Sequence, residues 1–146
     1  MSLRALILDA PPLLDLNVPD EVAAITHVAA LLKGHAHVLD QAGFLAAALE
    51  RQRVNPPVLG NGIALPHVRT PLVDEIVCVA ARCTEAIPFG PEMVPVRLIF
   101  LFGIPPHRIT EYLAAVAALL KRLRQPEVMD GLLHAQSGGD FLKWLA

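Results

Sequence analysis

The sequence is poor in cysteine and in aromatic residues, with 2 cysteines, 1 tryptophan, 1 tyrosine and 5 phenylalanines among 146 residues. Two cysteines are too few for a fold that depends on disulfides. Cys78 and Cys83 are five positions apart in one apparent strand, and this odd separation places them on opposite faces. We therefore expect two free thiols that neither pair with each other nor share a metal ion.

The sequence also lacks a long hydrophobic run, although 54% of its residues are hydrophobic. The longest apolar stretches cover residues 22–32, 98–106 and 112–120, whereas a membrane-spanning helix needs about 20 apolar residues. The first residues, from Met1 to Arg4, do not resemble a signal peptide. We expect a soluble, cytoplasmic protein whose apolar residues fill one core.

Neither sign of charge is in excess, since the net charge is −2 and acidic and basic residues are interleaved. Proteins that bind nucleic acid usually carry a basic surface, so no nucleic-acid partner is expected. The sequence contains no glycine-rich loop of the Walker type. No nucleotide or other cofactor is therefore predicted.

Prolines divide the chain into segments with distinct periodicities. Helices are predicted over residues 22–32, ending at Gly34, and from about residue 40 to 53. The apolar runs at 75–83 and 95–104 predict strands, and a short first strand is predicted at 13–16. Helical spacing returns at 112–124, 126–134 and 139–145. This order predicts one α/β domain over residues 1–146, a small mixed β-sheet with helices on both faces.

Five of the six histidines have ordinary surroundings in the sequence. His27 lies inside a predicted helix, His134 ends another, and His35 and His37 form a pair after Gly34. Two ligands are too few for a structural zinc site, and no CxxC or HxxxH motif accompanies them. No metal site is predicted. His107 follows the central strand, at an edge where α/β sheets often bind ligands, and is a reserve candidate.

The sixth histidine, His67, ends the stretch LGNGIALPH. Gly60-Asn61-Gly62 can turn tightly, and Ile63-Ala64-Leu65 predicts a short buried strand. Pro66 lacks the N–H that would continue this strand, so we expect His67 to be held rigidly and aimed off the sheet edge. Clusters of Gly, Pro and His also make ordinary turns. These residues alone leave open whether His67 is functional or structural.

The same stretch resembles the signature of a known family, the IIA domains of the fructose–mannitol class of the bacterial phosphoenolpyruvate-dependent sugar phosphotransferase system, with their nitrogen-regulatory relatives. That signature is an apolar residue, Gly, two variable residues, and then Ile-Ala-apolar-Pro-His, which Leu59 to His67 match throughout. The family also has an arginine sixteen residues before this histidine, where Arg51 stands. The likeness covers about residues 11–145, with further landmarks at 87–90, 100–104, 126–133 and 141–145.

The resemblance implies that His67 is the phosphorylated nucleophile and that Arg51 faces the phosphate. Imidazole suits this role because its ordinary pKa, about 6.5, leaves a neutral ring nitrogen at cellular pH. The other candidates for supporting roles are Asn61, Arg69, His107, Tyr112 and the backbone N–H groups of residues 60–62. The implied donor is a histidine-containing phosphocarrier protein, docking on an apolar surface to which Val68, Pro57 and Val58 contribute.

Three positions depart from the family pattern. Tyr112 stands where many members have a second histidine, and Val68 stands where the residue after the active histidine is usually small. The loop of residues 54–58 lacks a threonine that is often present. Either His107, five residues before Tyr112, or the Tyr112 hydroxyl is expected to replace the missing partner.

Three functions agree with this pattern. The first is a phosphoryl carrier that passes phosphate to a IIB domain, as a component of a phosphotransferase system and not a stand-alone enzyme. The second is a regulatory protein of the nitrogen type, whose phosphorylation controls its binding to a partner protein. The third is a degenerate docking module that is no longer phosphorylated. No IIB or membrane-embedded IIC region occurs in these 146 residues.

Overall fold

In the part of the chain that the structure describes, six strands form one mixed sheet with helices on both faces. A computed structural model describes residues 10–54 and 58–146. The strands are β1 (Leu13–Leu16), β2 (Val58–Leu59), β3 (Ile63–Ala64), β4 (His67–Arg69), β5 (Val77–Phe89) and β6 (Val94–Ile104). The helices are α1 (Glu21–Ala30), α2 (Gln41–Val54), α3 (Ile109–Leu123), α4 (Pro126–His134) and α5 (Gly138–Lys143), with a 3₁₀ turn at Pro106–Arg108.

The long antiparallel pair of β5 and β6 is the centre of the sheet. β1 lies parallel to β5, while β3 and β4 both lie parallel to β6, and β2 closes the edge against β3. β6 is buried from Leu98 to Ile104, as the apolar sequence of a strand covered on both faces requires. The predicted mixed sheet is confirmed. β5 is longer than predicted and includes Pro88, which lies opposite Pro95, so both missing amide hydrogens fall at one position of the hairpin.

The two faces of the sheet bury separate hydrophobic clusters. One cluster joins the sheet to α1 and α2, and the other joins it to α3, α4 and α5. Cys78 belongs to the second cluster and Cys83 to the first, and both thiols are free and buried. The prediction that these residues lie on opposite faces is therefore confirmed.

The first helix, α1, begins at a capping residue and ends earlier than the sequence predicts. The Asp20 carboxylate accepts a hydrogen bond from the Ala23 N–H at 2.9 Å and so caps α1. α1 ends at Ala30, before the predicted limit, and turns continue to Gly34, whose φ is +81°. None of the described helices is long and apolar enough to cross a membrane.

The chain resumes sheet pairing immediately after Pro66, contrary to the expectation that His67 would leave the sheet. His67, Val68 and Arg69 pair in parallel with residues 102–104 of β6. Pro66 has no N–H, but its carbonyl accepts a hydrogen bond from Phe102 N–H at 2.9 Å. The proline therefore removes one donor without ending the edge of the sheet, and His67 stands at the start of a short edge strand.

Candidate functional site

An open cleft of about 480 Å³ lies where β4 approaches the end of α2 and the beginning of α3. Its polar side chains are those of His67, Arg51, Arg69 and Tyr112. Its apolar lining comes from Val68, Ile104, Ile109 and Leu113. Four residues singled out from the sequence are thus brought together by three different elements.

The imidazole of His67 is half-buried and is oriented by a backbone group. Its Nδ1 lies 2.9 Å from the Leu65 carbonyl oxygen. A carbonyl oxygen carries no proton, so Nδ1 must be the donor in this hydrogen bond, and the neutral ring keeps its lone pair on Nε2. The acceptor that holds the ring is therefore the backbone two residues earlier, a contact that the sequence pattern did not reveal.

The two arginines of the cleft are exposed and supply positive charge beside His67. Arg51 is in the last turn of α2 and forms no ion pair with another described residue. Arg69 belongs to β4, and its Nη2 donates to the Pro106 carbonyl at 3.2 Å. Arg53, by contrast, pairs with Glu50 at 2.7 Å. The guanidinium of Arg51 is thus available to an anion that enters the cleft.

Tyr112 contacts His67 from the first turns of α3. Their ring centroids are 5.7 Å apart, and the Tyr112 ring also packs edge-on against Phe102 at 5.3 Å. Burial raises the pKa of Tyr112 to about 12, and the positive charge of Arg51 partly opposes this shift. The phenol consequently keeps its proton at neutral pH and can donate a hydrogen bond.

Two of the candidate supporting residues do not line this cleft. Asn61 and Gly62 form the turn between β2 and β3, with φ values of +66° and +77°. The Gly62 carbonyl accepts from Arg97 and Leu98 N–H groups, at the opposite end of β6 from the position that pairs with His67. This placement also removes the backbone N–H groups of residues 60–62 from the site. His107 is exposed in the 3₁₀ turn before α3 and is absent from the cleft lining.

The expected docking residues are also distributed differently. Val68 lines the cleft but is 7% exposed, because strand alternation points it into the core opposite His67. Val58 is half-buried, and Pro57 lies outside the described residues. Leu113, which was not among the candidates from the sequence, lines the cleft and is 59% exposed.

The other histidines occupy turns and helix ends. The rings of His35 and His37 are 5.7 Å apart, and His37 Nδ1 lies 2.8 Å from the Asp74 carboxylate. His27 and His134 each contact the carbonyl of the preceding helical turn at 2.9 Å. Within residues 10–54 and 58–146, no three His, Cys, Asp or Glu side chains converge in a way that could hold a metal ion.

Several known proteins have sequences similar to this one. The family model described as phosphoenolpyruvate-dependent sugar phosphotransferase system, EIIA 2, matches residues 13–146. The PTS system 2-O-alpha-mannosyl-D-glycerate-specific EIIABC component of Escherichia coli K12 is 31% identical over 107 residues, covering 70% of this chain and 16% of that protein. A nitrogen regulatory protein homolog of Haemophilus influenzae is 30% identical over 94 residues, covering 62% of this chain and 57% of that protein.

The fold has solved counterparts as well. The crystal structure of nitrogen regulatory protein IIA-Ntr from Neisseria meningitidis has a TM-score of 0.87 and 23% identity, and the match covers 98% of each chain. The two curated relatives are matched over less than two thirds of their own lengths. They include a sugar-specific protein and a nitrogen-regulatory one. This chain belongs to the EIIA type 2 family of the phosphoenolpyruvate-dependent sugar phosphotransferase system.

Proposed function

We propose that the protein accepts a phosphoryl group on Nε2 of His67 from a histidine-containing phosphocarrier protein and passes it to a IIB domain. The observation that carries this proposal is the hydrogen bond from His67 Nδ1 to the Leu65 carbonyl, in a cleft that two arginines line. It fixes the tautomer in which Nε2 has the nucleophilic lone pair.

In this step the Nε2 lone pair forms a new N–P bond while the N–P bond of the donor's phosphohistidine breaks. The bonding electron pair returns to the donor's imidazole. His67 keeps its Nδ1 proton, and the Leu65 carbonyl stabilises the positive charge that develops on the ring. The transfer requires little covalent chemistry from the protein beyond position and electrostatics.

Arg51 and Arg69 are the groups that would neutralise the phosphoryl oxygens. Both line the cleft, and each presents a planar, positively charged guanidinium group. Arg51 comes from the end of α2 and Arg69 from β4, so they can approach the phosphate from two sides of the cleft. The exposed Leu113 provides an apolar contact for a docking protein.

A regulatory role is the second candidate, because the relatives include a nitrogen regulatory protein as well as a sugar-specific component. In that role the same phosphohistidine would alter the affinity of this surface for a regulated protein. The two candidates share the phosphorylation of His67 and differ in the fate of the phosphoryl group. Onward transfer to a IIB domain supports the carrier, and a phosphorylation-dependent complex without transfer supports the regulator.

The test is to incubate the protein with phosphoenolpyruvate, enzyme I and the phosphocarrier, and to measure the mass gain of one acid-labile phosphoryl group. We expect His67→Ala to abolish this gain. His107→Ala is the matched control, since His107 is exposed and lies outside the cleft lining, and it should keep the gain. A wild-type protein that takes up no phosphate would contradict both candidates and favour a docking module.

A further inference from the structure

Tyr112 lines the cleft, whereas His107, the other residue expected to replace the family's second histidine, does not. It is the only tyrosine of the chain. Apart from His67 and the two arginines, its hydroxyl is the one polar side-chain group among the residues that line the cleft. The transferred phosphoryl group has three peripheral oxygens, and charge develops on them in the transition state. A hydrogen-bond donor in the cleft, in addition to the arginines, would therefore stabilise the charge on these oxygens.

The Tyr112 ring is held in place by its neighbours. It packs edge-on against the buried Phe102 and lies against the His67 imidazole, and the residue is only 7% exposed. Within the described parts of the chain, its hydroxyl makes no side-chain hydrogen bond. A donor that is already positioned loses little conformational entropy when it binds.

Burial keeps Tyr112 neutral despite the positive charge beside it. Arg51 faces it from α2, His67 and Arg69 line the same cleft from β4, and Cys78 lies beneath it on β5. Burial of the phenol outweighs the attraction of Arg51, and the resulting pKa of about 12 leaves the hydroxyl protonated across the physiological range. A neutral phenol can donate to a phosphoryl oxygen without adding a negative charge to the cleft.

We propose that the Tyr112 hydroxyl donates a hydrogen bond to an oxygen of the phosphoryl group that His67 receives. This inference rests on the proposed phosphorylation of His67 and adds a further binding residue to it.

The test uses phosphoramidate, a small phosphoryl donor, so that no partner protein affects the result. Nε2 of His67 forms the new N–P bond, the N–P bond of phosphoramidate breaks, and ammonia leaves with the electron pair and a proton. We expect Tyr112→Phe to lower the rate of phosphorylation by about tenfold, since a donor to a charged acceptor is lost. The ring and its packing remain, so the melting temperature should not change.

Tyr112→His is the second variant, because it supplies a donor that titrates near pH 6.5, roughly the ordinary pKa of histidine. Its rate, divided by that of Tyr112→Phe at the same pH, should exceed one at low pH and fall as the introduced imidazole loses its proton. His67 is present in both variants, so this ratio isolates the group at position 112. A purely packing role for Tyr112 would give a ratio that does not change with pH. The inference is overturned if Tyr112→Phe is phosphorylated as fast as the wild type.

A measurement on the unmodified sequence covers the case in which Tyr112→Phe folds poorly. Because the chain has one tyrosine, a sample labelled only at the tyrosine ζ carbon gives a single signal, from the carbon that carries the hydroxyl. On phosphorylation, the Tyr112 hydroxyl proton should become protected from exchange with solvent, and unchanged exchange would contradict the inference. A wild-type protein that is not phosphorylated on His67 refutes the proposed function itself, whereas a phosphorylated one with an unprotected hydroxyl refutes only the role of Tyr112.

Discussion

Arg51 and Arg53 stand in the same last turn of α2 but have different surroundings. Arg51 lines the cleft of His67, whereas Arg53 donates two hydrogen bonds to Glu50, at 2.7 and 3.2 Å. Both side chains are exposed and both carry one positive charge. Any difference between their effects on phosphorylation therefore comes from position and not from the net charge of the helix end.

We expect Arg51→Lys to slow the phosphorylation of His67 by about tenfold, because lysine keeps the charge but loses the planar, two-pronged contact with phosphate oxygens. The rate is measured as the formation of acid-labile phosphoprotein at a fixed donor concentration. Arg53→Lys is the control and should react as fast as the wild type. Equal slowing by both substitutions would show that Arg51 contributes only general charge.

The sequence predicted some of the site residues and missed others for identifiable reasons. The signature around His67 and the spacing to Arg51 led to two residues that line one cleft. Asn61 was a candidate because it is close to His67 in the sequence. In the structure the extended segment that contains β3 lies between the two residues. The Leu65 carbonyl could not be predicted, because its contact with Nδ1 depends on the side-chain rotamer of His67.

At the scale of elements, β4 is a three-residue strand whose position depends on its neighbour β6. Val68 pairs with Gly103, which also pairs with Val77 on the other side. A side chain at Gly103 would bring its Cβ to 2.7 Å from Phe44 Cε2 and 2.9 Å from Val77 Cγ2, and both of these residues are buried. The absence of a side chain at residue 103 lets α2 pack closely on the strand that supports β4.

We expect Gly103→Ala to lower the free energy of unfolding by about 1–3 kcal/mol, the usual cost of inserting a methyl group into a packed core. Chemical denaturation followed by circular dichroism measures this change. Gly139→Ala is the matched control, since Gly139 lies in α5 and its added Cβ would meet nothing within 4 Å. Its stability should equal that of the wild type or exceed it by less than about 1 kcal/mol.

The elements themselves were largely predictable, with the exception of the edge of the sheet. Hydrophobic periodicity indicated β1, β6 and the five described helices to within about three residues at their ends, but it ended β5 six residues before Phe89. It gave no signal for β4, because a three-residue strand has too few positions to show alternation. The prediction that Pro66 ends the sheet pairing was wrong. A parallel edge strand tolerates the loss of one N–H when the proline carbonyl still accepts a hydrogen bond.

At the scale of the whole molecule, a single sheet separates two cores, and β5 contributes to both. The mixed sheet with helices on both faces followed from the order of elements, and the family resemblance implied the same fold. The residues of β5 and β6 that lie opposite each other could not be deduced from the sequence, because the pairing register is not visible in it. β5 and β6 pair from Val77 to Phe89, with a shift in register between Arg82 and Ile87. This irregularity lies next to Cys83 and interrupts the regular pairing of the two strands there.

The two buried thiols allow the cooperativity of the cores to be measured. Burial raises the pKa of Cys83 to about 11 and that of Cys78 further above the ordinary range of a thiol, so neither forms appreciable thiolate in the folded protein. Each thiol should react with Ellman's reagent only after the surrounding core opens. Cys78→Ala and Cys83→Ala leave one reporter each, on opposite faces of the sheet.

We expect both reporters to give the same dependence of reaction rate on urea concentration, once each rate is corrected for the stability of its variant. The reason is that β5 carries both residues, and its long pairing with β6 must break before either face is exposed. The two cores would then unfold as one unit, as small single domains usually do. A shallower urea dependence for Cys83 alone would contradict this expectation and assign local opening to the shifted register between Arg82 and Ile87, leaving the core that contains Cys78 and Tyr112 intact.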